Sequence, residues 1–157
     1  MKLMKLSLLA IVSMFVLAAC GGKETTEIYK GDVQGLDTEI EITAKGDDVS
    51  KEKLTQTGKF EEWGFTSKEQ AEEAFKQQEE MDKETYKDVP DNAIETTYTV
   101  GDDSATMETT FNYSKENTQA LIDAGLLDAE GNEKADRVSK EKTVKGYEEL
   151  GLKKEGE

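Results

Sequence analysis

The stretch IETTYTVGDDSATMETTFNY, residues 94–113, alternates in two runs around a turn. Ile94, Thr96, Tyr98 and Val100 share one side of the first run; Ala105, Met107, Thr109, Phe111 and Tyr113 share one side of the second. Period two sends successive side chains to opposite faces, so each run predicts a half-buried strand. Gly101-Asp102-Asp103-Ser104 supplies turn-forming residues and joins the runs as an antiparallel hairpin. A lone hairpin is marginal in water, so its buried face must be covered from elsewhere in the chain.

The cover and the remaining strands lie on either side. Upstream, Thr38–Ala44 (TEIEITA) sets Ile40 and Ile42 against Glu39 and Glu41, a half-buried strand. Ile28–Val33 reads as its antiparallel partner, with a turn at residues 34–37, and Val49–Phe60 follows the Gly46-Asp47-Asp48 turn as a third strand. A helix then opens at Thr66 or Ser67. "TSKEQ" offers Thr66-x-x-Glu69 or Ser67-x-x-Gln70 as a capping box, and the sequence leaves both open. It runs to about Tyr86 or Lys87 with an apolar stripe of Ala71, Ala74, Phe75, Gln78, Met81 and Thr85, and Pro90 closes it.

Downstream of the hairpin, Ser114-Lys115-Glu116 starts a short helix carrying Leu121, and a last helix starts near Ser139 with Val144, Tyr147 and Leu150. Both end in Gly-Leu, at 125–126 and 151–152, the pattern of a glycine C-cap with a hydrophobic clasp. "SKE" recurs at 50, 67, 114 and 139; three copies fall at helix starts, so capping explains them better than a repeat. The expected fold is α+β: an antiparallel sheet of about five strands, order β-β-β-α-β-β-α-α, with helices packed on one face.

The first twenty residues have a different logic. Lys2 and Lys5 precede an apolar run, Leu6–Ala19, that is too short for a membrane span of about 20 residues. This is the layout of a secretory signal peptide. Leu17-Ala18-Ala19-Cys20 resembles the lipobox of bacterial lipoproteins, which implies a diacylglyceryl thioether on Cys20 and cleavage between Ala19 and Cys20. A thiol suits that transfer because thiolate is a strong nucleophile near neutral pH. The expected organisation is a signal peptide at 1–19, lipidated Cys20 with a flexible tether at 20–27, and one domain at 28–157. Two acyl chains suffice for stable anchoring, and they place the protein at the cell membrane on its extracytoplasmic face.

Composition limits what such a domain does. Without residues 1–19 the chain holds 18 basic and 35 acidic residues, a net charge of −17. That charge opposes binding to nucleic acid, where lysines and arginines must displace counterions from phosphates. It also means that overall electrostatics cannot hold the domain at an anionic membrane, leaving the lipid to do so. With Cys20 spent on lipid there is no disulfide, and with no histidine the usual general base and commonest transition-metal ligand are both missing. No cofactor is expected beyond the covalent lipid.

Several further segments match the YehR-like bacterial lipoproteins: Tyr29–Asp32 (YKGD), Thr66–Ala71 (TSKEQA), Thr109–Asn117 (TTFNYSKEN) and Gly146–Lys153 (GYEELGLK). With the lipobox, the chain resembles that family over nearly its whole length. The resemblance implies an α+β lipoprotein domain of unknown function, and it brings no catalytic residues.

No GxSxG, P-loop or GxGxxG occurs. Adjacent carboxylates such as Glu61-Glu62 are expected by chance in so acidic a chain and read as turns or solvated faces. "DAEGNEKAD" (128–136) offers oxygens at Asp128, Glu130, Asn132 and Asp136 for calcium, but Gly131 stands fourth where an EF-hand loop needs glycine sixth. Phe60, Trp63 and Phe65 form an aromatic group that serves either as a lid on the core or as the wall of a binding patch. The leading expectation is a non-enzymatic, membrane-anchored module that binds an envelope protein or small ligand. The alternatives are a calcium-binding lipoprotein and a carboxylate-based envelope hydrolase.

Overall fold

The computed structural model describes residues 23–127 and 136–156. In chain order the elements are β1 (Glu24–Val33), β2 (Leu36–Lys45), β3 (Asp48–Lys59), α1 (Lys68–Thr85), β4 (Ile94–Val100), β5 (Ser104–Asn112), α2 (Lys115–Asp123), β6 (Val138–Ser139), α3 (Lys140–Glu149) and β7 (Lys153–Lys154). The fold is α+β, as the alternation predicts. All pairings are antiparallel, in the order β4-β5-β3-β2-β1-β7, with β6 attached to β3.

Seven strands replace the expected five. The two extra ones, β6 and β7, are two residues each, too short to leave an alternating pattern. β1 also begins at Glu24 rather than Ile28, so Glu24–Glu27 leave the expected tether and join the sheet. These four polar residues pair in register with Lys45 to Ile42, and the Thr26 and Thr43 hydroxyls meet at 2.9 Å. Backbone pairing, blind to hydrophobicity, extends the strand.

Register builds the core row by row across the sheet. Tyr29, Ile40, Leu54, Thr109 and Thr96 are successive partners on one face, and Ile42, Glu52, Phe111 and Ile94 form another row of that face. The opposite face carries threonine, glutamate and lysine, with Lys53 and Glu108 paired at 2.8 Å. A one-sided sheet of this kind needs cover on its apolar face alone.

The helices supply it. α1 sets Phe75 against Tyr98 of β4 with ring centroids 4.9 Å apart, and α3 sets Tyr147 against Tyr29 of β1 at 5.4 Å. Gly31 lets the end of α3 close down: a Cβ there would stand 3.1 Å from the Gly151 carbonyl oxygen and from Leu152. Both Gly-Leu ends form the expected cap. Gly125 and Gly151 take φ of 71° and 87°, and the Leu126 and Leu152 amides bond back to the carbonyls of Leu121 and Tyr147.

The start of α1 resolves the capping alternatives. Ser67 is the N-cap and accepts from the Gln70 amide, while Gln70 Oε1 accepts from the Thr66 amide at 2.7 Å and its hydroxyl at 2.8 Å. The stripe departs from expectation at two positions: Met81 is 54% exposed and Thr85 is exposed as well, while Asp82 is buried instead. Asp82 follows Ala71 by eleven residues, three full helical turns, and a partner on β4 makes its burial tolerable.

Candidate functional site

The aromatic group divides. Trp63 and Phe65 belong to the core, at 4% and 7% exposure, and only Phe60 is half-buried. Phe75 of α1 meets both rings edge-on at 5.5 and 5.6 Å, and the Trp63 indole donates to the Ala105 carbonyl at 3.0 Å. Edge-to-face geometry and a satisfied N–H make this the lid of the sheet's far end.

Asp136 is the one described member of the expected cation loop; Asp128, Glu130 and Asn132 lie outside the described residues. Its carboxylate is occupied by Lys115 at 3.3 Å and Arg137 at 3.6 Å. The Lys115 contact holds its carboxyl pKa below the usual carboxylate range. Among the described residues, no three acidic or other metal-binding side chains converge. Cys20 and Ala19 also lie outside the described residues.

Two groups that carry no sequence motif are the chemically distinct places in the domain. The first is a cleft of about 300 Å³ between the C-terminal half of α1 and β4, walled by Glu79, Tyr86, Pro90, Ile94 and Thr96. Asp82 lies at its base, 7% exposed. Gln78 donates to its Oδ1 at 2.9 Å and the Tyr98 hydroxyl to its Oδ2 at 2.6 Å. No lysine pairs with it among the described residues: Lys83 and Lys87 turn instead to Glu79 and Glu84. Burial pushes the Tyr86 hydroxyl up to about 12, and the Asp82 charge adds to the effect. Burial and the bond to Asp82 also raise Tyr98 far above the ordinary tyrosine range. Both phenols therefore stay protonated and act as hydrogen-bond groups, not bases. The cleft combines the Asp82 carboxylate, the Tyr86 phenol and the apolar edges of Pro90 and Ile94. Such a mixture suits a small polar ligand better than covalent chemistry. The sequence reading misses Asp82; the signal that could have found it is its place eleven residues after Ala71, on the same face of the helix.

The second is Glu52, on the buried face of β3 and 1% exposed. Tyr113 donates to its Oε2 at 3.3 Å, and Tyr147 of α3 lies against it from above. Desolvation pushes its carboxyl up to about 7, opposed by the two phenols. Its signal in the sequence was phase: Glu52 falls on the same side as Leu54 and Gln56. A carboxyl tuned to neutrality has the acidity of a general acid, but sealing from solvent makes it a core group.

Among the described residues, no helix is long and apolar enough to cross a membrane. Comparison with known proteins adds the following. The family described as "Protein of unknown function (DUF1307)" matches residues 25–153. The uncharacterized lipoprotein Lmo0207 of Listeria monocytogenes is 35% identical over 97 residues, covering 57% of this chain and 62% of that protein. The uncharacterized lipoprotein Lin0239 of Listeria innocua is 32% identical over 105 residues, covering 61% and 69%. The chain thus spans somewhat under two thirds of the length of the first of these relatives. The NMR structure of the E. coli YehR protein superposes with a TM-score of 0.62 at 24% identity, covering 87% of this chain and 94% of that one. That likeness is one of fold.

Proposed function

Because the chain belongs to the DUF1307 family, whose function is unknown, we propose that it is a lipoprotein held at the extracytoplasmic face of the cell membrane through Cys20. Its domain acts as a non-enzymatic binding module. The observation that carries this reading is the Leu17-Ala18-Ala19-Cys20 box, set directly behind an apolar signal-like run and only three residues before β1. The names of the two Listeria relatives support it. A diacylglyceryl thioether on Cys20 provides the anchor, since two chains at about 0.8 kcal/mol per buried methylene hold a protein stably.

The binding reading rests on the Asp82 cleft, which presents hydrogen-bonding groups on a rigid helix–strand junction but no activated nucleophile. The ligand class is a small polar molecule or a projecting side chain of an envelope protein. Replacing Cys20 with alanine tests the anchor: labelling with radioactive fatty acid and recovery in the membrane fraction should both be lost. Unchanged membrane recovery of that variant would refute it. A thermal-shift screen of amines and polyols, run on the protein and on Asp82→Asn, tests the cleft. A shift that survives the substitution would place the ligand elsewhere.

A further inference from the structure

The two edges of the sheet differ. One ends in β7, which is two residues long and carries Lys153 and Lys154; short, charged edges of that kind resist pairing with other chains. The other is β4, seven residues without proline, lysine or bulge, and no strand among the described residues pairs with its outer side. The hairpin decides what that side offers. The Gly101 amide donates to the Ser104 carbonyl and the Asn112 amide to the Ala93 carbonyl, so the odd-numbered residues of β4 exchange hydrogen bonds with β5. The amides and carbonyls of Thr96, Tyr98 and Val100 therefore point outward.

The side chains of these same three residues lie on the face covered by α1, where Phase two of the alternation also puts Ile94. The Asp82 cleft opens beside them. Its walls come from α1, the connection after it, and Ile94 and Thr96 of β4, and none of the described residues of β5 contributes. A strand added antiparallel to β4 sets the residue that bonds to Thr96 directly opposite it, about 5.5 Å away between Cα atoms. Its side chain then stands on the α1 side of the sheet, at the mouth of the cleft. One residue of the incoming strand thus meets both the free edge and Asp82.

Charge selects that residue. Residues 79–103 contain nine acidic side chains and two lysines, and both lysines are engaged, Lys83 with Glu79 and Lys87 with Glu84. Lys68, which reaches in from the start of α1, is held by Asp102 at 3.2 Å. Asp82 accepts from Gln78 and Tyr98 only, whereas a carboxylate has about four lone-pair sites. The Pro90 and Ile94 walls suit the methylene stem of a lysine. A second copy of the chain would set two such acidic segments against each other, and like charges opposed across strands destabilise the pairing.

We propose that β4 pairs with an extended basic segment of another protein, whose backbone continues the sheet and whose lysine or arginine enters the cleft toward Asp82. The proposal rests on the cleft being a binding site and names the partner that fills it.

The probe is a terminally blocked heptapeptide of alternating valine and threonine with lysine at its centre, added to the full lipidated protein in detergent micelles. Amide exchange should slow on the order of tenfold at Thr96 and Tyr98 and stay unchanged in β2. Glutamate at the centre should abolish this protection through charge. N-methylation of the lysine and of the residues two places to either side should abolish it by removing the backbone donors. Asp82→Asn should weaken peptide binding about tenfold, as loss of a hydrogen bond to a charged group does. Equal protection by the glutamate peptide, or binding undiminished by Asp82→Asn, overturns the proposal. Butylamine, tested by thermal shift, separates it from the cleft itself. If butylamine stabilises the protein but not Asp82→Asn, and the lysine peptide leaves the edge amides unprotected, the cleft stands and the edge pairing falls. If neither amine nor peptide acts, both fall. Edge protection that grows with protein concentration in the absence of peptide makes the occupant a second copy, and overturns the basic partner.

Discussion

Ser139 donates its hydroxyl to Asp47 Oδ2 at 2.9 Å across 92 positions of sequence. Asp47 Oδ1 also accepts from the Glu141 amide at 2.8 Å, and its carbonyl accepts from the Lys140 amide at 2.9 Å. One residue of the β2–β3 turn thus closes the start of α3, while Ser139 caps the same helix internally. A carboxylate at a helix N-terminus satisfies orphan amides and faces the positive end of the dipole.

Asp47→Ala should therefore destabilise the domain by about 1–2 kcal/mol, lowering its melting temperature by roughly 3–6 °C. Asp47→Asn should cost less, because the amide oxygen still accepts. Urea denaturation of both variants checks the order; equal losses would show that the turn backbone, not the side chain, holds α3.

Glu52 sets the second expectation, in pH. Its carboxyl titrates at about 7 in the folded protein against an ordinary 4.5, so folding takes up a proton between those values. The stability associated with this group is fully present below about pH 4.5 and is lost as pH rises through 7, by an amount on the order of 3 kcal/mol. Tyr113 and Tyr147 stay protonated throughout, because burial raises both well above 10. Glu27 behaves oppositely. Its hydrogen bond from Lys140 lowers it to about 2, so its stabilisation appears above pH 4.5 and fades toward pH 2. Glu52→Gln should flatten the decline between pH 5 and 7.5 and leave the acid limb unchanged. Parallel wild-type and variant profiles would remove Glu52 from the account.

Much of the fold is legible in the sequence. The alternation at 94–113 and 38–44, the serine caps and the two Gly-Leu ends each encode a local rule, and each appears where that rule puts it. Glu24–Glu27 escape such a reading because backbone pairing needs no apolar residue, and β6 and β7 because two residues carry no period. Asp82 and Glu52 escape it for a different reason. A polar residue on a buried face is intelligible only through a partner from another element, here Tyr98 and Tyr113, and one-dimensional periodicity does not contain that partner.

Two glycines give opposite expectations. A Cβ on Gly58 would come within 2.6 Å of Leu36 Cδ2 and 3.3 Å of Trp63 Nε1, so Gly58→Ala forces the aromatic lid to shift. A loss of about 1–3 kcal/mol should follow, with altered fluorescence from Trp63, the chain's single tryptophan. Gly146 sits within α3, and a Cβ added there would meet nothing within 4 Å. Gly146→Ala should stabilise by about 0.5–1 kcal/mol through helix propensity. Thermal melts of the pair decide it; a neutral Gly58→Ala would show that Leu36 and the lid have room to move.

The Asp82–Tyr98 bond offers the sharpest measurement. At 2.6 Å it joins a buried carboxylate on α1 to a phenol on β4, and Gln78 is the carboxylate's other donor. Tyr98→Phe leaves the charge with half its donors, whereas Asp82→Ala removes the charge and leaves a phenol that the open cleft can hydrate. The two single losses should differ, with Tyr98→Phe costing more than deletion of one exposed hydroxyl would. In a double-mutant cycle the coupling should reach about 1.5–3 kcal/mol, the range of hydrogen bonds to charged groups. Amide exchange in the last turn of α1 should accelerate in both variants, since this bond ties that turn to the sheet. Additive losses would mean that α1 is held by Phe75 and Ala71 alone, and that the cleft's polar base is free to rearrange around a ligand.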